Sequence, residues 1–126
     1  MKTLNIKHIS SLHNDVLRGL DFYRQELIIL QERLDEITAG NTGMEVLEKV
    51  AHFQDEFIIH ERYIDDLRRE IHKNLRDIEE QVKGNAGFVA GGKIERNEDL
   101  YEQYVTEEKL FNELRHEFNR FAAEWL

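Results

Sequence analysis

The sequence predicts an all-α protein, an antiparallel three-helix bundle of long, coiled-coil-like helices that self-association completes into a larger bundle. Three observations carry this expectation. The 126 residues include no proline, where average composition would supply about six, so no ring breaks a helix from within. Apolar residues recur in alternating steps of three and four along three stretches, the period of a packed helix face. Four of the seven glycines fall in one uncharged stretch, 84–92, which leaves a single strong break between long elements.

The first helix is expected over about 10–39. Its seam runs Ile9, His13, Val16, Leu20, Tyr23, Leu27, Leu30, Leu34 and Ile37, with His13 the one polar interruption. Ser10 or Ser11 can cap its free amides, and Gly40 can take the left-handed conformation that ends helices. Thr42-Gly43-Met44-Glu45 has the spacing of a capping box, so a second helix is expected over about 43–83. Its seam reads Val50, Phe53, Phe57, His60, Ile64, Leu67, Ile71, Leu75, Ile78 and Val82. The connection around Gly40 is so short that these two helices must form an antiparallel hairpin. After the glycine-rich loop a third helix is expected over about 96–126, capped by Asn97. Leu100, Tyr104, Glu107, Phe111, Leu114, Phe118, Phe121 and Trp125 form its seam, broken only by Glu107. Residues 1–126 thus read as one domain; two coiled helices without a core fit the three seams less well.

Composition excludes several functions. The absence of cysteine removes disulfide scaffolds, thiolate zinc sites and cysteine nucleophiles. No apolar run reaches signal-peptide or membrane-span length, so a cytoplasmic protein without membrane association is expected. The net charge of −9 repels phosphate backbones, and no nucleic-acid partner is expected.

Three motifs could carry chemistry. Glu113-x-x-His116 has the spacing of di-iron bundles, but both residues fall outside the Phe111, Leu114, Phe118 stripe and no second such pair exists. His52-x-x-x-Glu56 resembles the metal-binding element of the haemerythrin family over one turn of one helix; the His-x-x-x-His that the family places on its next helix has no counterpart. Gly87 to Lys93 fits the G-x-x-x-x-G-K of phosphate loops, yet Ile94 replaces the magnesium-binding hydroxyl and the segment follows a helix rather than a strand. These groups read as solvated side chains and a connecting loop. The aromatics of the third helix read as core.

More informative are the polar seam residues. Folding the helices about their loops brings His13, Arg68 and Glu107 toward one end of the bundle, a cluster that would fix register at some cost in stability. Pairing with Glu107 would raise the pKa of His13, whereas burial without a charged partner would lower it. His60 reads as a core-edge histidine bonded to water or a side chain.

The consecutive apolar runs around Leu27 to Leu30 and Phe57 to Ile59 exceed what one seam can bury, because neighbouring helix residues diverge by ~100°. Phe22, Ile28, Ile29, Ile58 and Ile59 are therefore the expected oligomer interface. The functional expectation is a non-enzymatic structural or protein-interaction module, a homo-oligomer with a protein partner and neither catalytic residues nor cofactor. The alternative is a metal-binding bundle, di-iron or haemerythrin-like, using His13, His60 and Glu107.

Overall fold

The structure, a computed structural model, describes the backbone of residues 4–83, 88–89 and 91–126 and the side chains of 8–83 and 96–126. It is an all-α three-helix bundle in which all three helices pack against one another. In chain order the elements are β1 (Leu4–Asn5), α1 (Ile6–Gly40), α2 (Met44–Val82), β2 (Phe88–Val89) and α3 (Gly91–Trp125). The two short strands pair antiparallel, Leu4 with Val89 and Asn5 with Phe88.

Cross-helix pairs fix the directions. Gln31 meets Gln54 and Arg24 meets Asp65, so α1 and α2 are antiparallel. Glu70 with Arg96 and His52 with Glu117 make α2 and α3 antiparallel as well. Glu26 with Arg115, and Asn41 with the Trp125 carbonyl, leave α1 and α3 parallel. Along the parallel pair, Gly19 permits a close approach: a Cβ there would lie 2.7 Å from Cζ of the Tyr104 ring.

The seam of α1 is buried as its spacing predicts, from Ile9 to Ile37. On α2 the steps of three and four continue through His60, Ile64, Leu67, Ile71, Asn74 and Ile78, and Asn74 rather than Leu75 is buried. The helical period outranks residue type at this position. Phe53, Phe57, Phe118 and Phe121 fill the core toward the α1–α2 connection, with Phe53 and Phe118 edge to face at 5.2 Å between ring centres. Toward the opposite end, Ile9, Ile78 and the partly buried Val82 form a smaller cluster, separate from the main core.

The helix ends differ from the caps expected of them. α1 begins at Ile6, so Ser10 and Ser11 lie inside it. Gly43 takes the N-cap position of α2 in extended conformation without a side-chain bond, so the Thr42 capping box does not form. Gly40 ends α1 without a positive φ. The side chain of Asn41 does the capping there, donating to the Ile37 carbonyl at 2.9 Å. α3 begins at Gly91, which places Asn97 inside the helix, buried, its Oδ1 without a partner among the described residues. The expected glycine-rich loop is thereby shortened at its end, and 88–89 belong to β2; residues 84–87 and 90 lie outside the described residues. The same holds for the side chains of the Gly87 to Ile94 motif.

Candidate functional site: the groove between α2 and α3

The polar seam residues do not form one cluster. Glu107, buried, pairs with His60: Nδ1 of the ring faces both carboxylate oxygens, with Oε2 at 3.0 Å. His13 instead meets Asn74, 3.0 Å between Nε2 and Nδ2. Positions 60 and 74 are fourteen residues apart on α2, roughly 21 Å at 1.5 Å per residue, so His13 and Glu107 occupy distant layers. Arg68 is half-buried, with Nε 3.2 Å from Asp21 Oδ1 but at an angle that leaves Nε without a hydrogen bond. The expected triad fails on both registers: α1 meets α2 six residues beyond Arg68, at Asn74, and Glu107 of α3 meets α2 at His60. Counting symmetrically about a loop presumes level helix ends, and neither antiparallel pair has them. His60 does bond a side chain, as its core-edge reading implies.

The two histidines present opposite faces to their partners. An amide nitrogen donates, so Nε2 of His13 accepts and the ring is neutral. Burial away from charge lowers the pKa of His13 below 6.5, the reverse of what a Glu107 partner would do. In the other pair Nδ1–H of His60 donates to the carboxylate, while Nε2 has no hydrogen-bond partner among the described residues.

His60 and Glu107 line the floor of a groove of about 580 Å³ between α2 and α3. Ile59, Tyr63 and Leu110 stand along its walls, half exposed, above Leu114. Glu56, Glu113 and Glu117 add carboxylates, and neither lysine nor arginine is among the lining residues. The Tyr63 hydroxyl is held above its usual pKa by burial, then by the charges of Glu107 and Asp99. Both carboxylates are thus near enough to the phenol to disfavour its ionised form. At one end His52 Nε2 lies 3.6 Å from Glu117; beyond the other, Arg96 bonds Glu70 at 2.6 Å.

His52 and Glu56 both line this groove, so the haemerythrin-like pair faces α3. Glu113 and His116 are both exposed, as their offset from the apolar stripe implies. Among the described residues no three His, Asp or Glu side chains are placed to hold a metal ion. His13 is too far along the bundle to join His60 and Glu107, so the three metal candidates do not converge.

The five expected interface residues are all exposed, from 37% at Ile58 to 58% at Ile59. They do not share one surface. Ile28 lines a groove between α1 and α2, and Ile58 continues the α2 row of Gln54, Asp65 and Arg68 that pairs with α1. Ile59 turns to the α2–α3 side. Phe22 and Ile29 continue the α1 row of Gly19 and Glu26, which meets α3. A step of ~100° per residue makes this separation unavoidable: adjacent residues opposite a seam diverge onto its two flanks.

No described helix is long and apolar enough to cross a membrane. In comparisons with protein families, with characterised proteins and with solved structures, the chain matches none.

Proposed function

We propose that the protein is a non-enzymatic helical interaction module of the cytoplasm, a scaffold that associates with copies of itself and presents its remaining apolar surface to a protein partner. The observation that carries this reading is the exposure of Ile28 and Ile58 on the α1–α2 face. The flanking pairs Gln31–Gln54 and Arg24–Asp65 place the two isoleucines at the same level of the antiparallel hairpin. Asp21 with Arg68 and Arg24 with Asp65 pair opposite charges along that face, and Glu32 and Glu61 also line the groove beside Ile28. The net charge of −9 opposes association there, so the apolar contact has to outweigh it and added salt should strengthen it. The ion pairs themselves add little, about 0–1 kcal/mol each at such exposure. The apolar side chains supply the association, roughly 25 cal/mol per Å² removed from water.

Sedimentation velocity at tens of micromolar tests this, a concentration that reveals even modest affinity. A dimer is expected, and Ile28→Glu with Ile58→Glu should give a folded monomer. Phe22→Glu with Ile29→Glu, on the α1–α3 side, should leave the dimer intact. A monomeric wild type would end the self-association reading. Stoichiometric iron, zinc or manganese in the purified protein would replace it with the metal-binding alternative.

A further inference from the structure

We propose that the α2–α3 groove is the docking site for a basic amphipathic helix of another protein, about three turns long; this rests on the interaction-module reading and names the partner's chemistry. Length comes first. The lining positions on α2 run from His52 to Tyr63, about 16 Å of helix axis, the length of three turns. Such a segment laid along the groove would add a fourth helix to the bundle, a familiar mode of peptide recognition.

The walls and the charge then fix its sequence character. His52–Glu117 and His60–Glu107 set the register of α2 against α3, and by it Ile59 faces Leu110 across the groove. Both are half exposed, at 58% and 48%, with Leu114 beneath. They ask for apolar residues at i, i+4 and i+7 on the incoming helix. The carboxylates at Glu56, Glu113 and Glu117 ask for lysine or arginine beside that stripe. A second copy of this acidic chain is the wrong occupant, because its net charge of −9 opposes the carboxylates that line the groove.

His60 is nine-tenths buried and its Nδ1 is committed to Glu107, so the pair forms a fixed floor on which such a helix would rest.

The probe is a synthetic fifteen-residue peptide with leucine at i, i+4, i+7 and i+11 and lysine on both flanks, titrated into the full-length protein and followed by anisotropy and amide shifts. A second peptide carries glutamate in place of every lysine. The lysine peptide should bind at least about tenfold tighter than the glutamate peptide, weaken steeply with salt, and shift amides around Ile59, His60 and Leu110. Ile59→Asn with Leu110→Asn, at exposed positions that leave the core intact, should abolish binding. Glu56→Gln with Glu113→Gln should remove most of the salt dependence. Equal binding of both peptides, shifts confined to the α1–α2 face, or indifference to the Asn pair would each overturn the proposal. So would an Asn pair that dissociates a wild-type dimer, since the groove would then hold a second copy. The Ile28 and Ile58 variants keep the two readings apart, because they test association on a different face.

Discussion

His13 and His60 are both buried imidazoles on helix seams, yet one meets an amide and the other a carboxylate. His13 accepts from the Asn74 amide and has no charged partner among the described residues. Its lowered pKa means that the folded chain resists a proton which the unfolded chain takes up near pH 6.5. This contribution to stability is fully present above pH 6.5, declines as the pH falls below it, and levels off beneath the folded pKa. Thermal melts of wild type and of His13→Leu with Asn74→Leu should therefore diverge between neutral pH and pH 5, with the variant losing less. A titration of the His13 ring by NMR giving a pKa above 6.5 would contradict the neutral, amide-bonded ring. At His60 the pairing with Glu107 predicts strong coupling. His60→Leu alone leaves a buried carboxylate without its donor and should cost about 3–5 kcal/mol. Glu107→Leu alone leaves the ring nitrogen unsatisfied, at about 1–3 kcal/mol. The double substitution should recover most of both losses in denaturant unfolding; additive losses would mean that the pair does not act as a unit.

At the scale of elements, the three helices and the α1–α2 hairpin were legible because each seam repeats its period over many turns, and single irregular residues cannot hide it. Helix ends were not legible. Ser10, Ser11 and Asn97 are good caps by residue type, but each lies within a helix that continues past it, and a cap's typical ~1 kcal/mol does not by itself end a helix. Leu75 illustrates the same limit from the other side. An apolar residue one step off the period was read into the seam, and the polar Asn74 in the true position was missed. Strict alternation of three and four carried from Ile64 through Leu67 and Ile71 selects Asn74. The β1–β2 pairing was beyond reach because two residues per strand carry no alternation to detect. Of the site, the five exposed apolar residues and the polar character of His60 and Glu107 were readable. Which pair of helices each of them flanks needed the packing of the three helices together, which no single seam carries.

In the whole molecule, the His13–Asn74 contact stands between two apolar clusters. Val16, Ile71 and Leu100 belong to the main core on one side, while Ile9, Ile78 and Val82 lie on the other. A layer joined by one amide–imidazole bond transmits less cohesion than packed hydrocarbon, since its net worth is about 1 kcal/mol against roughly 1.5–3 kcal/mol for each buried aliphatic side chain. The bundle should therefore unfold as two cooperative units, the smaller opening while the larger remains closed. Native-state hydrogen exchange should resolve two tiers: amides of α1 before His13 and of α2 after Asn74 exchanging by a sub-global opening, and those around Leu30, Phe57 and Phe118 only by global unfolding. Replacing His13 and Asn74 together by leucine should merge the tiers. A single tier in the wild type would show that the polar layer transmits the full cooperativity of the bundle.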